Sequence, residues 1–284
     1  MRDPRPARPR RWSGLALAGA SVGIGAVTLP AFAQIAQVPV ITLAQPSDVG
    51  PNARLWMVQT EGGEGGESGK AGYAADGSTD AGYLAQLSIV EGHLLAALDL
   101  YRIGMRSEAI SLSHHPEAEM MDEVRAAIAA HGATDITPAM TAFSAAMERT
   151  APPEAVEAAL ETVRAAIAAA AAPEAGELRA RFDALTLLGR AASEEYAGST
   201  EGGSVGDVLA YFEAHAFLVT GKRLAEALAQ LEQTKPAAEK ALAALAGGDE
   251  AFGDMTGASA FLVADPAILR GVAARLELIA SSVR

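Results

Sequence analysis

The sequence predicts an all-α protein: an antiparallel helical bundle, which could divide into two lobes, preceded by a flexible segment rich in glycine and glutamate. Half of the 284 residues are apolar but only 5% are aromatic, and alanine supplies much of the apolar half. This composition favours closely packed helices, because sheets depend more on β-branched and aromatic side chains. Proline and glycine recur at the ends of the apolar segments, where they typically start and stop helices.

The N-terminus has the three parts of a bacterial secretory signal peptide. Five arginines lie within the first 13 residues, an uncharged stretch covers 14–29, and Ala31 and Ala33 form an A-x-A cleavage site. The apolar stretch is too short and too rich in glycine to stay in a membrane. We therefore expect cleavage of 1–33 after Ala33 and a periplasmic or extracellular protein, with an uncleaved anchor as the alternative. Arg10-Arg11 leaves both the general and the twin-arginine export routes open.

Charge and the lack of cysteine exclude several classes of function. The chain has 22 basic and 35 acidic residues, a formal charge of −13. Removal of five bases and one acid with residues 1–33 leaves 17 against 34, or −17. Such a surface repels nucleic acid and anionic lipid, so we expect neither a nucleic-acid partner nor stable membrane insertion after cleavage. Without cysteine there is no disulfide, thiolate nucleophile or zinc finger.

Residues 34–82 are predicted to form an extended arm followed by an acidic linker. The part from 61 to 82 consists mostly of glycine, serine, alanine and acidic residues, including the run Glu61-Gly-Gly-Glu64-Gly-Gly-Glu67. Such a segment buries too little apolar surface to offset the entropy lost on ordering. We therefore predict a mobile linker over 61–82 and an all-helical bundle domain over 83–284.

Proline and glycine divide this domain into helices. Prolines occupy first turns, where no intrahelical N–H bond is lost, and Gly104, Gly132 and Gly198 are predicted C-terminal stops. The predicted segments are Tyr83–Gly104, Ser107–His114, Pro116–His131, Pro138–Glu148, Pro153–Ala171, Glu174–Tyr196, Val205–Leu245 (with a break near Pro236 left open) and Pro266–Val283.

His93 is predicted to face the core from the first helix. At 100° per residue its side chain lies nearly opposite a polar arc formed by Ser88, Glu91, Asp99 and Arg102. An unpartnered buried imidazole costs about 1–3 kcal/mol. We therefore expect a partner for it, either a metal ion or a group that forms an ordinary hydrogen bond.

Two further histidines can reach the height of His93 if the first two helices form a hairpin at Gly104. His93 precedes this glycine by eleven residues and His114 follows it by ten, so the two lie at about the same level in antiparallel helices. His115 is adjacent, and the helical phase next to a proline does not decide between the two.

Carboxylates follow directly, because Pro116 starts a helix with Glu117 and Glu119 in its first turn. The predicted metal ligands are therefore His93, His114 or His115, and Glu119, with Glu117 as a reserve. Two imidazoles and one carboxylate suit Zn²⁺, Fe²⁺ or Cu²⁺. The alternative is that the adjacent histidines end a helix in solvent while the glutamates interact with the helix dipole.

A short internal similarity adds one more candidate. Residues 90–95 (Val-Glu-Gly-His-Leu-Leu) and 212–217 (Phe-Glu-Ala-His-Ala-Phe) share the order apolar, Glu, small, His, apolar, apolar. His215 is expected to face a core and is a further reserve ligand. Chance similarity in an alanine-rich helical protein is the alternative.

The stretch around His93 also resembles part of a known motif. Glu91-Gly92-His93-Leu94-Leu95-Ala96 is similar to the Gly-x-His-x-x-Glu motif of the imelysin group of periplasmic, metal-associated proteins. Here the glycine is displaced by one position and the glutamate is absent, so the motif assigns no family.

These observations predict an exported helical protein that binds a transition metal ion for uptake, delivery or sensing. The alternative is a metal-free helical scaffold that mediates protein–protein interaction in the periplasm, so the partner is either a metal ion or another exported protein. An enzyme is not favoured, since the chain has no phosphate or dinucleotide loop.

Overall fold

The computed structural model describes residues 75–172, 177–200 and 202–283, which contain α-helices, one short 3-10 helix and no strand. The predicted signal peptide, the extended arm and residues 61–74 of the linker lie outside them. The helices are α1 (Asp80–Arg102), α2 (Arg106–Ser113), α3 (His115–Glu119), α4 (Met121–Ala130), α5 (Thr137–Glu148), α6 (Pro153–Ala171), α7 (Leu178–Ser199), α8 (Val208–Ala229), α9 (Lys235–Ala246), a 3-10 helix (Gly247–Ala251) and α10 (Ala267–Ser282).

The predicted all-α bundle is confirmed, with α1 at its centre. This helix packs against α2, α3, α4, α6, α7 and α8, and every residue from 82 to 98 is buried. Consecutive helices joined by short connections contact each other, as in the pairs α1–α2, α5–α6, α7–α8 and α8–α9. Most buried apolar side chains belong to one continuous cluster, so the described residues share a main core instead of dividing into two lobes.

The predicted glycine stops at two helix ends are confirmed. Gly104 and Gly132 have positive φ angles of 87° and 66°. At the first of these, the N–H of Gly104 bonds to the carbonyl of Tyr101 and that of Met105 to the carbonyl of Leu100. This is a Schellman motif, which satisfies the last carbonyls of α1 and turns the chain towards α2.

Several predicted boundaries are wrong. Helix α1 begins at Asp80, three residues early, because the side chain of Thr79 accepts a hydrogen bond from the Gly82 N–H at 3.1 Å. Residues 75–79 are therefore not part of a linker; the Gln86 side chain also donates to the carbonyl of Ala75 at 2.8 Å. Gly198 does not end its helix, which continues to Ser199.

Two long predicted helices are divided. The segment predicted as one helix over 116–131 breaks at Met120, whose φ of −141° lies outside the helical region. The break left open near Pro236 is present, because α8 ends at Ala229 and α9 begins at Lys235 with the proline in its first turn. The start of α8 moves to Val208, because Asp207 caps it by accepting from the Ala210 N–H.

Within the described part of the chain, α1 is the one helix long and apolar enough to cross a bilayer. Its most apolar window is 89% buried inside the protein. The same length and composition are expected of a helix that is surrounded by other helices.

A close crossing of α1 and α8 at Gly92 fixes the centre of the bundle. A Cβ atom at this position would lie 2.2 Å from Cδ1 of Phe217 on α8, far inside van der Waals contact. The phenyl ring also meets the imidazole of His93 edge-on, with the ring centroids 5.2 Å apart. The crossing therefore places His93, the residue next to Gly92, directly beside α8.

We expect Gly92→Ala to lower the free energy of unfolding by about 1–3 kcal/mol, because the added methyl group forces Phe217 out of its position. Gly271→Ala is the matched control, since a Cβ there has no atom within 4 Å. The control should stabilise the protein by up to about 1 kcal/mol through helix propensity. Urea unfolding followed by circular dichroism measures both, and equal effects of the two variants would contradict the close crossing.

Candidate functional site

Two histidines converge on one buried carboxylate. Glu213 of α8 is 5% exposed, and its Oε1 atom lies 3.3 Å from Nε2 of His93 and 3.3 Å from Nδ1 of His115. The His93 side chain is 2% exposed and that of His115 is 29% exposed. The group, which we call the His–Glu–His site, therefore has one fully buried end and one end that solvent can reach.

The backbone fixes which nitrogen of His93 faces the carboxylate. Nδ1 lies 2.8 Å from the carbonyl oxygen of Ile89, and because a carbonyl only accepts, Nδ1 carries a proton. In the neutral ring Nε2 is then an unprotonated acceptor that points at another acceptor, the carboxylate oxygen of Glu213. Either His93 is protonated on both nitrogens or another cation neutralises this contact.

The electrostatics of the site favour a charged carboxylate. Burial alone would raise the pKa of Glu213, but the charge of His93 and the hydrogen bond and charge of His115 outweigh it, so the pKa lies below its ordinary value. The hydrogen bond to Glu213 raises the pKa of His115, against the opposing effect of burial. The site therefore favours the ionised form of Glu213 and the protonated form of His115.

The turn between α2 and α3 decides which of the two adjacent histidines reaches the site. Helix α2 ends at Ser113 and α3 begins at His115, with Pro116 next to it in the first turn. His114, between the two helices, points away, and its Nε2 lies 3.0 Å from Oε1 of Glu148. The residue count from Gly104 therefore predicts the correct height along α1. In the structure His115, and not His114, lies beside Glu213.

The structure does not bring the predicted glutamates into the site. Glu117 forms an ion pair with Arg125 at 3.0 Å, and Glu119 is exposed, although its charge contributes to the raised pKa of His115. Both side chains lie on the outer side of the short helix α3, because its buried side is occupied by Pro116. In the described ranges no group of three or more His, Asp or Glu side chains is arranged to hold a metal ion.

His215, the reserve ligand, lies elsewhere. Its ring meets Phe252 edge-on with the centroids 5.1 Å apart, and its buried Nδ1 has no hydrogen-bond partner among the described residues. Burial lowers its pKa to about 4, together with the charge of Lys222 and against that of Asp249. Burial of the ring therefore favours the neutral form of His215.

The sequence analysis missed Glu213 as a site residue. The signal was present, because Glu213 occupies the same place in 212–217 as Glu91 does in 90–95. A glutamate on an alanine-rich helix is usually solvated, so this position alone does not indicate a site. The geometry shows that both glutamates are buried.

Glu91 is the counterpart of Glu213 on the central helix. It is fully buried, and its Oε1 accepts hydrogen bonds from Nε of Arg164 at 2.9 Å and from Nε of Arg223 at 2.8 Å. Arg223 also contacts the second carboxylate oxygen through Nη2. Glu91, one member of the polar arc predicted on α1, is therefore covered by arginines of α6 and α8.

Comparison of the chain with protein-family models, with curated proteins and with solved structures finds no match.

The low pKa of His215 predicts acid sensitivity. Between pH 6.5 and about 4 the unfolded chain binds a proton at this residue that the folded protein excludes, so stability falls as the pH decreases. At about 1.4 kcal/mol per pKa unit, the loss across this window reaches up to about 3 kcal/mol. We expect His215→Leu to remove this part of the pH dependence in urea unfolding at pH 7 and pH 4.

His114→Ala is the control, since that ring lies on the surface and its removal should leave the contribution of His215 to the pH dependence in place. A His215→Leu curve parallel to that of the wild type would contradict the assignment of a neutral core histidine.

Proposed function

We propose that this protein binds one divalent transition metal ion through His93, His115 and Glu213, and that it serves metal uptake, delivery or sensing in an exported compartment. The observation that carries the proposal is the convergence of two imidazole nitrogens on one buried carboxylate oxygen. The three residues form a two-histidine, one-carboxylate donor set that suits Zn²⁺, Fe²⁺ or Cu²⁺. Glu213 replaces the glutamates of α3 that the sequence favoured.

The distances support a cation at this place. Both nitrogen–oxygen separations are 3.3 Å, longer than the 2.7–2.9 Å typical of hydrogen bonds between charged groups. Two donor atoms bound at about 2.0 Å to a tetrahedral ion are separated by about 3.3 Å. The contact between Nε2 of His93 and Oε1 of Glu213 therefore has the length of one edge of such a coordination sphere.

The second hydrogen bond of His93 supports the same interpretation. Metal-binding histidines generally donate their other N–H to a carbonyl or carboxylate, which fixes the ring and its tautomer. The bond from Nδ1 of His93 to the Ile89 carbonyl has this role in our proposal. It leaves Nε2 as the ligand atom.

In our proposal His115 is the side chain that moves when the metal ion binds. Because the described residues hold no preformed three-ligand group, binding requires a movement, and His115 is the most exposed member of the site. It also stands at the start of a helix of five residues, where few contacts resist a rotation of the ring. In our proposal the ion enters from this side and displaces the protons that the histidines carry.

The test compares the melting temperature of each purified protein with and without Zn²⁺, Cu²⁺ or Fe²⁺. At a metal concentration of one hundred times Kd, binding adds about 2.7 kcal/mol to the free energy of unfolding of the wild type. Its melting temperature should therefore increase. Glu213→Gln and His115→Ala should each lose this increase relative to their own metal-free values. The double variant should lose no more, because residues that share one ion act as a unit.

His114→Ala is the matched control, since it removes the neighbouring imidazole, which pairs with Glu148. It should retain the full increase. If no metal stabilises the wild type, or if His114→Ala removes the effect while His115→Ala keeps it, the proposed site is wrong.

The metal-free scaffold remains the second candidate, and one observation favours it. With both histidines protonated, Glu213 has a cationic partner on each side, so the site is satisfied as an ion pair without any metal. In that case Glu213→Gln lowers stability strongly, because it leaves the histidines without their counter-charge, and added metal changes no variant.

A further inference from the structure

A cavity of about 250 Å³ lies on the side of α1 that carries Glu91. Its walls come from α1, α6, α7 and α8, and most of them are apolar, including Leu84, Leu87, Ile167 and Leu228. Ligand sites in proteins typically combine such an apolar wall with a few polar groups. This cavity has that composition, and it is separate from the His–Glu–His site, because Glu91 and His93 point in nearly opposite directions from α1.

The polar part of the wall is cationic. Arg164, Arg181 and Arg223 line the cavity together with a single acid, Glu91, and the guanidinium groups of Arg164 and Arg223 both contact that carboxylate. The whole chain has a charge of −13. Arginines gathered at one cavity of so acidic a protein can supply directed N–H donors to an anionic group.

Glu91 orients two of these guanidinium groups without using all of their donors. Arg223 binds the carboxylate through Nε and Nη2, and Arg164 binds it through Nε and contacts Glu161 through Nη1. In the part of the chain that the structure describes, Nη1 of Arg223 and Nη2 of Arg164 have no hydrogen-bond acceptor. Glu91 is fully buried, so it fixes the positions of both guanidinium groups at the cavity. The remaining N–H groups of the two arginines can then donate to a second acceptor.

We infer that this cavity binds a compact organic monocarboxylate with an apolar body, whose carboxylate accepts hydrogen bonds from Arg164 and Arg223. The size limits the ligand: at about 30 Å³ for each water-sized group, the cavity accommodates roughly eight such groups. A straight chain of seven or eight carbons meets this limit if its carboxylate lies at the arginines. The ligand is recognised by charge at one end and by burial of the chain at the other.

The inference does not rest on the proposed metal site, so the test uses metal-free protein. Octanoate is titrated calorimetrically into the wild type, and octanol and octylammonium are titrated as neutral and cationic compounds of the same chain length. We expect saturable binding of one octanoate, with octanol at least tenfold weaker because it lacks the charge-assisted hydrogen bonds. Octylammonium should not bind.

Two variants locate the ligand. Arg223→Gln should weaken octanoate binding about tenfold or more. Ala227→Phe should abolish binding by filling the cavity, and because Ala227 is an exposed wall residue the larger ring does not disturb the core. Circular dichroism of each variant confirms that it is folded.

Arg190→Gln is the matched control, since Arg190 lies outside the cavity and pairs with Glu277 at 2.8 Å. It should leave octanoate binding unchanged. Three results would overturn the inference: no saturable binding of octanoate, equal affinity for octanol, or full binding by folded Ala227→Phe.

Discussion

The structure depends on the burial of α1 on all sides. Over residues 82–98 this helix has no face on which a polar side chain can meet bulk water, so each polar side chain there needs a partner inside the protein. Glu91 finds arginines of α6 and α8, and His93 finds Glu213 of α8. The contacts of Glu91 with its arginines and the His–Glu–His site are therefore both consequences of the central position of this helix.

Helices α1 and α8 each supply a partner for a buried polar side chain of the other. Helix α1 contributes Glu91, which Arg223 of α8 binds, and α8 contributes Glu213, which His93 of α1 contacts. The crossing at Gly92 allows this exchange, because it brings the two backbones close enough for side chains on either side of the contact to reach the opposite helix. One sequence pattern on two helices thus produces two different sites, one rich in arginine and one rich in histidine.

Most of the fold could be predicted from the sequence, because helix starts and stops are local. Pro153 starts α6 and Gly104 stops α1 as expected, since the energies involved concern a single turn. The break at Met120 and the continuation through Gly198 could not be predicted. Helix stability in proteins comes mostly from tertiary packing, so local propensity alone does not decide such positions.

The site could be predicted only in part, for the same reason. The hairpin at Gly104 correctly brings the chain near residue 114 to the level of His93, because residue counts along helices translate directly into height. The choice of His115 over His114 depends on the rotation of a short helix, and Glu213 comes from 120 residues away. Only the tertiary structure places such a residue.

In our proposal His93 and His115 share one metal ion with Glu213. The most direct measurement is ¹⁵N NMR of the histidine rings during titration with Zn²⁺. We predict that the ¹⁵N signals of Nε2 of His93 and Nδ1 of His115 shift together up to one equivalent of Zn²⁺. Nδ1 of His93 should keep the proton that it donates to the Ile89 carbonyl, and the ring signals of His114 should stay unchanged. Ring signals of His93 and His115 that do not respond to Zn²⁺ would contradict the claim.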